Sequence, residues 1–391
     1  SRGNEEAEAT LERKLLYVSL PEILKDHFLR GRRNLVVSGT HGKTTTSSIL
    51  AWILKSAGVD PSYMIGGIPR NLGQGATFTD SDFVVLEGDE YDTAFFDKRS
   101  KFLHYLPEVV VINNIEFDHA DIYNSLDEIK LTFKRLLNIV PRNGMAFVNG
   151  DCVNTMDVAS DGPAPITTVG LGAKCDLQIT DIDYGRENTS FVLDGEHYVL
   201  PMAGEFNVRN AAMAICTASF SGFSAEQIRQ GLASFEGIAR RQEVRGIAGG
   251  VRVIDDFAHH PTAIGLAVDS LRQQYPDSRL WVIFEPRSNT TRRNVFQGEL
   301  ANALSKADLV VVPAVPDPEK VAEQDRLDPH KLVGDIQASG TSCWHIETVD
   351  EIVTLVASES REGDTVAVLS NGGFGGIHQK LLAQLEIMAS H

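Results

Sequence analysis

The residues with the clearest chemistry form one run, Gly39-Thr40-His41-Gly42-Lys43-Thr44-Thr45-Thr46, which lies between an apolar stretch at 34–38 and a helical pattern at 47–55. A glycine-containing loop between a strand and a helix can wrap a phosphate with backbone N–H groups, and the helix N-terminus adds a positive field. In such a loop Lys43 reaches the terminal phosphates and the hydroxyl of Thr44 ligates Mg²⁺. The run predicts a nucleotide-binding loop; an ordinary tight strand-to-helix turn is the alternative.

Two further apolar runs end in acidic clusters. Residues 82–86 lead into Glu87-Gly88-Asp89-Glu90-Tyr91-Asp92, and residues 109–113 lead into Asn114-Ile115-Glu116-Phe117-Asp118-His119. In doubly wound α/β sheets, ligands collect beyond the carboxyl ends of the strands. Each cluster alone could be a solvated loop, but together with the glycine loop they predict a metal–phosphate site.

The elements around these motifs alternate between strands and helices, which predicts an α/β fold class. We expect a P-loop central domain with a doubly wound, mainly parallel sheet, and the short alternating strands at 164–199 predict a small antiparallel insertion. A smaller, Rossmann-like C-terminal α/β domain would follow. Glycines near 231–237 favour a boundary there, so the predicted domains are residues 17–237 and 238–391, preceded by a segment at 1–16.

Polar clusters also follow the predicted strands of the C-terminal half. Asn207 and Asn210 stand one helical turn apart before an alanine-rich helix at 211–220, where they could face a ligand or cap the helix. Strand 251–254 runs into Asp255-Asp256-Phe257-Ala258-His259-His260-Pro261-Thr262. Strands 280–284 and 365–369 run into Glu285-Pro286-Arg287-Ser288-Asn289-Thr290 and Ser370-Asn371-Gly372-Gly373-Phe374-Gly375-Gly376, which are either turns or ligand contacts.

Bulk composition narrows the possible partners. The net charge is −17 and 42% of the residues are hydrophobic. An acidic surface argues against a nucleic-acid partner, and no apolar run approaches the roughly 20 residues that a membrane helix needs. The cysteines are scattered and indicate reduced thiols. We expect a cytoplasmic protein without membrane insertion, either a monomer or a weak oligomer.

The motifs together resemble the Mur ligase family, which joins amino acids or peptides to UDP-muramoyl precursors of the bacterial cell wall. The matching segments span nearly the whole chain in family order: Gly39 to Thr46, Glu87-x-Asp-Glu90, Asn113-Asn114-Ile115-Glu116-x-Asp118-His119, Asn207-x-x-Asn210, Arg240-Arg241 and Asp255-Asp256-x-x-His259-His260-Pro261-Thr262. The resemblance departs at the N-terminus, where the family's UDP-binding domain is expected and only a remnant or linker, at 1–16, is recognised.

The resemblance implies ATP and Mg²⁺ as cofactors and a carboxylate activated as an acyl phosphate. It implies these catalytic residues: Lys43, Glu87, His119, Arg241 and Asp256. It implies these nucleotide contacts: Gly39, Thr40, His41, Gly42, Lys43, Thr44, Thr45, Asn207, Asn210, Arg241 and Asp256. It implies these metal ligands: Thr44, Glu87 and His119. It implies these substrate contacts: His259, His260, Arg287, Ser288, Asn289, Thr290, Asn371 and Gly372.

The resemblance also narrows the substrates. The histidine-containing motifs point to the branch whose acceptor is UDP-N-acetylmuramate. Residues 90–100 and 285–290 resemble enzymes that add the murein tripeptide L-Ala-γ-D-Glu-meso-diaminopimelate, whereas L-alanine is the donor of the alternative enzyme. Two other classes stay open. One is a different P-loop enzyme, such as a folylpolyglutamate-synthase-like ligase or a kinase, and the other is a non-catalytic ATP-binding fragment.

Overall fold

A computed structural model describes residues 2–160, 162–186 and 188–390. The chain forms two compact units. The first comprises Ser1–Asp183, Thr189–Pro201 and Phe206–Glu236, and the second comprises Tyr184–Asn188, Met202–Glu205 and Gly237–His391.

The strands of the first unit are β1 (Arg33–Ser38), β2 (Ser62–Met64), β3 (Ala76–Thr77), β4 (Phe83–Gly88), β5 (Asp92–Ala94), β6 (Asp97–Ser100), β7 (Val109–Ile112), β8 (Met145–Asn149), β9 (Ile166–Gly170), β10 (Leu177–Tyr184), β11 (Thr189–Leu193) and β12 (Glu196–Leu200). Among the described residues, ten of them form one sheet in the order β12-β11-β10-β9-β8-β7-β1-β4-β2-β3, and β5 pairs with β6 as a separate hairpin. Strands β7, β1 and β4 are parallel neighbours, so their carboxyl ends meet at one edge.

The helices of the first unit are α1 (Glu5–Glu12), α2 (Leu20–Leu24), α3 (Lys43–Ser56), α4 (Leu126–Asn138), α5 (Val153–Ala159), α6 (Glu205–Phe220) and α7 (Ala225–Ala233), with a π-helical turn at Lys25–Leu29 and a 3₁₀ turn at Lys101–His104. Local sequence explains several starts. Ser19 and Glu22 form a capping box before α2, and the Ser125 side chain accepts from the Glu128 N–H at the start of α4. Helix α1, within the segment predicted as a remnant or linker, ends at Glu12.

The predicted antiparallel insertion at 164–199 is only partly correct. Strands β11 and β12 pair antiparallel as expected. However, β9 pairs parallel to both β8 and β10, and all four strands extend the large sheet. Alternation along a strand shows which side chains share a face, but it does not show which neighbour the strand joins. The prediction of a mainly parallel α/β fold is confirmed.

The second unit contains a smaller sheet made of β13 (Glu243–Ala248), β14 (Val251–Asp256), β15 (Leu280–Phe284), β16 (Leu309–Val312), β17 (Ser342–His345) and β18 (Thr365–Leu369). Its order is β13-β14-β18-β15-β16-β17, with β13 antiparallel to β14 and the remaining pairs parallel. The helices are α8 (Pro261–Gln274), α9 (Gln297–Leu304), α10 (Pro329–Ala338), α11 (Val349–Glu359) and α12 (Ile377–Ala389), with 3₁₀ turns at Asn294–Phe296, Pro318–Lys320, Glu323–Asp325 and Phe374–Gly376.

The second sheet is buried on both faces, as its continuous apolar strands predict. Along β15, Val282 and Phe284 belong to one core cluster, while Trp281 and Ile283 belong to the other. Because side chains on both faces of the sheet are packed in the core, the positions of the strand ends are fixed, and the polar loops of this unit begin at those ends. Within the described ranges, no helix has the length and apolar character required to cross a membrane.

Candidate active site

The glycine loop connects β1 to α3 and requires glycine at two positions. Gly39 has φ +125° and Gly42 has φ +80°, a left-handed conformation that favours glycine. A Cβ atom at Gly42 would overlap Asn210 Oδ1 and would lie 2.8 Å from Asn113 Nδ2. Gly42 is also the N-cap of α3 and offers no side chain to the first N–H groups of the helix. The loop therefore has the backbone geometry of an anion site.

Lys43, the first residue of α3, folds back over this loop. Its Nζ atom donates to Gly39 O at 2.7 Å and lies 2.9 Å from Glu90 Oε2. Burial lowers the pKa of Lys43, but the carboxylates of Glu90 and Asp89 outweigh burial and hold the pKa above its ordinary value. Lys43 is therefore a fixed, fully charged cation at the mouth of the loop.

Glu90 is the residue that organises the acidic cluster. One carboxylate oxygen lies against Lys43, and the other lies 3.3 Å from His119 Nε2. Its main-chain oxygen accepts hydrogen bonds from Ser100 Oγ and Tyr123 Oη. Burial raises the pKa of Glu90, but Lys43 and His119 together bring that pKa below its ordinary value. Glu90 was not among the predicted site residues, although it belongs to a motif that the sequence singled out.

Thr44 and Glu87 form a second pair beside the loop. Thr44 Oγ1 donates to Glu87 Oε1 at 2.9 Å, and Gly66 N donates to Glu87 Oε2 at 2.6 Å. Burial, followed by the nearby Asp89 carboxylate, holds the pKa of Glu87 above its ordinary value. A hydroxyl fits a hard, oxygen-binding cation such as Mg²⁺ when it lies beside a carboxylate that has no cationic hydrogen-bond partner among the described residues. A bound cation would favour the ionised form of Glu87.

His119 occupies a less direct position than its predicted role as a metal ligand suggests. Its backbone has φ 53° and its N–H donates to Asp118 Oδ1 at 2.7 Å. Burial lowers the pKa of His119, but the hydrogen bond to Glu90 outweighs burial and holds the pKa above its ordinary value. To ligate a metal, the ring would have to exchange this carboxylate for the cation.

An asparagine network fixes the other side of the loop. Asn114 Oδ1 accepts from His41 N at 2.8 Å, and Asn113 Nδ2 donates to Thr46 Oγ1 at 3.1 Å. Thr46 Oγ1 in turn donates to Asn210 Oδ1 at 3.3 Å. The buried Asn113 Oδ1 accepts no hydrogen bond from any described residue. Thr40 contacts the same strand end, where its N–H donates to Asn114 O at 3.0 Å.

The two predicted nucleotide asparagines lie inside a helix. The helix expected to begin at residue 211 begins at Glu205, so Asn207 and Asn210 belong to the first turns of α6 and both are buried. Asn207 is the third residue of α6 and Asn210 is the sixth, so neither occupies the N-cap position. Asn210 reaches the glycine loop through Thr46. Thr45 is buried within α3.

In the second unit, the end of β14 holds a buried carboxylate. Asp256 accepts hydrogen bonds from Gln242 N at 2.8 Å and from Ala258 N at 2.7 Å. Burial outweighs the nearby Arg241 charge and raises the pKa of Asp256. Arg241 also stands 4.9 Å from the ring centroid of Phe257. These contacts hold the Asp256 carboxylate in one orientation.

The adjacent histidines have different local roles. His259 Nδ1 lies 3.0 Å from Phe257 O. His260 is the N-cap of α8, and its Nδ1 accepts from Thr262 N at 3.3 Å. His260 is buried, whereas His259 is only partly buried. The imidazole of His260, which is buried and caps α8, is therefore less accessible to a substrate than the imidazole of His259.

Loops after β15 and β18 meet around Arg287. Arg287 Nη1 lies 3.4 Å from Glu285 Oε1, a loose ion pair. A Cβ atom at Gly372 would overlap the Arg287 side chain, so this glycine makes room for the arginine stem. Ser288 Oγ is 2.8 Å from Thr291 Oγ1 and closes a local turn. The buried Asn371 Oδ1 accepts no hydrogen bond from a described residue.

Fold and site together define an α/β protein of two units. The first unit has a glycine loop with a lysine held by a carboxylate, and the second has a carboxylate and an arginine beyond its strand ends. Residues 37–218 match the model of the Mur ligase middle domain, and residues 240–372 match that of the Mur ligase glutamate ligase domain. The chain belongs to the Mur ligase family, which confirms the resemblance seen in the motifs.

Relatives carry two different donor names. The chain is 40% identical over 389 residues to the UDP-N-acetylmuramate–L-alanyl-gamma-D-glutamyl-meso-2,6-diaminoheptandioate ligase of Escherichia coli (strain K12). This match covers 98% of this chain and 82% of that protein. It is 30% identical over 397 residues to the UDP-N-acetylmuramate–L-alanine ligase of Desulforapulum autotrophicum, covering 100% of this chain and 84% of that protein. The crystal structure of a murein peptide ligase from Psychrobacter arcticus 273-4 superposes with a TM-score of 0.72 at 33% identity, covering 99% of this chain and 84% of that one.

Proposed function

We propose that this chain joins the tripeptide L-Ala-γ-D-Glu-meso-diaminopimelate to UDP-N-acetylmuramate at the expense of ATP, through an acyl phosphate of the muramoyl carboxylate. The observation that carries this proposal is the 40% identity over 98% of the chain to the Escherichia coli ligase named for that tripeptide. Identity to the alanine-adding relative is 30%. The proposed substrates are those in the name of the Escherichia coli ligase. The proposed chemistry rests on the site residues of this chain.

The need for ATP follows from the reaction. A carboxylate and an amine do not condense in water, so the carboxylate must first be given a good leaving group, and phosphoryl transfer from ATP supplies it. Enzymes accelerate phosphoryl transfer mainly by positioning and by neutralising charge. Lys43 would neutralise the terminal phosphates, and Glu90 would hold the ammonium in place through its 2.9 Å contact. The loop N–H groups would orient the phosphate chain.

We assign Thr44 and Glu87 to the first Mg²⁺ and His119 to a second. When bound, Mg²⁺ neutralises phosphate charge during the transfer. Asn207, Asn210, Arg241 and Asp256 would contact the nucleotide. His259, His260 and the loops after β15 and β18 would contact the substrates.

Glu87→Gln is expected to raise the Mg²⁺ concentration required for half-maximal ligation by about tenfold or more, because an amide oxygen carries no charge to bind the cation. The measurement is a magnesium titration of the ligation rate at saturating ATP. Glu108→Gln is the matched control, because Glu108 pairs with Arg33 at 2.7 Å just before the start of β7, at the opposite strand end from the loop. Identical titrations of the Glu87 variant and the parent would remove Glu87 from the metal site.

Arg287→Lys is expected to raise the KM of the tripeptide about tenfold and to leave the KM of ATP unchanged. A planar guanidinium can bind a carboxylate through two N–H groups, which an ammonium cannot reproduce. The loose 3.4 Å contact to Glu285 leaves Arg287 able to take up a stronger carboxylate partner. Initial rates are measured against each substrate in turn, with UDP-N-acetylmuramate saturating.

Arg272→Lys is the control for this substitution, because Arg272 pairs with Asp308 at 2.9 Å, outside the strand-end loops. If Arg287→Lys leaves the KM of the tripeptide unchanged, Arg287 serves only as the ion-pair partner of Glu285. The donor itself is tested by running L-alanine against the tripeptide. Efficient use of L-alanine without a preference for the tripeptide would replace the proposed function with the alanine-adding one.

A non-catalytic ATP-binding protein is the remaining alternative. Calorimetry of ATP binding and an assay of phosphate release with both substrates separate it from a ligase. Both measurements are made on this chain. ATP binding without ligation would contradict the proposed function.

A further inference from the structure

A cavity of about 420 Å³ lies in the first unit, outside the glycine loop. Its walls are the β5–β6 hairpin, the loop at 121–123 and one face of α4. The hairpin belongs to residues 90–100, the stretch that the sequence singled out, in which the proposed function gives a role to Glu90 but to no residue of the hairpin. Volumes of roughly 300–1,000 Å³ are usual for small-molecule sites. The cavity is large enough for a short peptide.

The helical wall of the cavity combines charge with apolar surface. It is formed by Glu128, Leu131, Thr132 and Arg135, which follow the i, i+3, i+4, i+7 spacing of one helix face. Leu131 is 49% exposed, although the opposite face of α4 packs into the core. An exposed leucine on a concave wall favours a ligand with an aliphatic part.

Arg135 is the cation of this cavity that is available to a ligand. The other two cations are already neutralised: Lys98 lies 2.5 Å from Asp92, and Arg99 makes a two-pronged contact with Asp97 at 2.9 and 2.8 Å. Arg135 has no ion-pair or hydrogen-bond partner among the described residues. An exposed guanidinium on a cavity wall is suited to a carboxylate.

Two residues that line the cavity are connected to Lys43 through hydrogen bonds to Glu90. Ser100 and Tyr123 line the cavity, and the hydroxyls of both donate to the main-chain oxygen of Glu90. The side chain of the same Glu90 holds Lys43 Nζ at 2.9 Å. A ligand that shifts either hydroxyl would move Glu90 and, through it, the ammonium of Lys43.

We propose that this cavity binds a short carboxylate-bearing peptide, with Arg135 on the carboxylate and Leu131 under the aliphatic chain, and that its occupancy acts on the glycine loop through Glu90. The choice of the tripeptide as the probe rests on the proposed function. The peptide in the cavity is either the donor itself or a second, regulatory copy of the same peptide.

The test measures tripeptide binding by calorimetry to the parent chain and to three variants. Arg135→Gln is expected to weaken binding about tenfold, because it removes a charge-assisted contact. Leu131→Trp is expected to abolish binding by filling the cavity from an exposed position. Lys134→Gln is the matched control, because it removes the same charge one residue earlier on α4 from a side chain that does not line the cavity.

Coupling to the loop is tested with the same proteins. Because coupling between two sites is reciprocal, saturating tripeptide is expected to change the ATP dissociation constant of the parent and of Lys134→Gln, but not that of Leu131→Trp. Equal tripeptide affinity in all four proteins, or no binding to the parent, overturns the site. An ATP affinity that does not respond to the tripeptide overturns the coupling.

Ligation rates identify the source of the bound peptide. A raised tripeptide KM in Arg135→Gln means that the donor itself occupies the cavity, whereas an unchanged KM with altered rates at high tripeptide means a second copy. The two proposals fail separately. If the tripeptide binds through Arg135 but is not ligated, the proposed function fails and the cavity site stands. If the tripeptide is ligated but neither Arg135→Gln nor Leu131→Trp changes its binding, the cavity site fails and the proposed function stands.

Discussion

Lys43→Ala is expected to lower the ligation rate roughly 10²- to 10³-fold, because a charge-assisted contact to a developing phosphoryl charge is commonly worth a few kcal/mol. The ammonium is held between Gly39 O and Glu90, so its position is set before any nucleotide arrives. The rate is measured by steady-state phosphate release with ATP and both substrates saturating. Turnover equal to that of the parent would contradict the assignment of this loop.

The same substitution is also expected to destabilise the fold. Glu90 is buried, and removing one partner of a buried ion pair costs about 3–5 kcal/mol when the remaining charge is uncompensated. His119, 3.3 Å from Glu90, keeps the loss near or below the low end of that range. Stability and catalysis are separated by the double variant Lys43→Ala/Glu90→Gln. Chemical denaturation should show a recovered free energy of unfolding, while ligation stays as slow as in Lys43→Ala.

Gly42→Ala is expected to lower ATP affinity at least about tenfold and to destabilise the chain by about 2–5 kcal/mol. An alanine with a left-handed backbone costs about 1–2 kcal/mol, and the displacement of a packed neighbour costs about 1–3 kcal/mol more. The neighbours here are Asn210 Oδ1 and Asn113 Nδ2, which stand where the new methyl group would lie. Moving them would distort the loop that we propose binds the phosphates.

Gly58→Ala supplies the matched control for that strain. Gly58 has φ +90° just beyond the end of α3, and a Cβ atom there would meet nothing within 4 Å. This variant should therefore lose only the left-handed conformational term of about 1–2 kcal/mol and should keep the ATP affinity of the parent. Thermal or chemical denaturation and ATP calorimetry are measured on both variants. Equal ATP affinities in the two variants would show that the asparagine collision does not reach the nucleotide site.

The candidate site was most predictable where its chemistry is local in sequence. A glycine loop between a strand and a helix carries its own geometry, so Gly39, Gly42 and Lys43 could be assigned from residue types and spacing. Because parallel strands bring their carboxyl ends together, the sequence also predicted that the acidic clusters lie near the loop. The choice of Glu87 as the partner of Thr44 was implied by the family resemblance. By contrast, the role of Glu90 depends on which of several adjacent acids turns toward Lys43 and His119. Spacing alone does not decide that choice.

The strands at 166–200 show the same limit in the fold. Their alternation indicated short half-buried strands, yet β9 and β10 pair parallel and extend the large sheet. Alternation of apolar and polar residues shows that one face of a strand is buried, and the alternation is the same whether the neighbouring strand is parallel or antiparallel. Similarly, residues 90–100 were recognisable as a distinctive segment, but the cavity that they line also needs the loop at 121–123 and the face of α4.

The α/β class, the glycine loop and the acidic strand ends could be predicted from the sequence, because each depends on residue types at short, fixed spacings, and the family could be predicted from the order of these motifs along the chain. The fold was needed to show that Glu90 holds Lys43, that Asn210 and Asn113 leave no room for a side chain at Gly42, and that Arg135 faces a cavity. These depend on contacts between residues far apart in the chain. Such contacts are fixed by the packing of whole helices and strands, which local propensity does not encode.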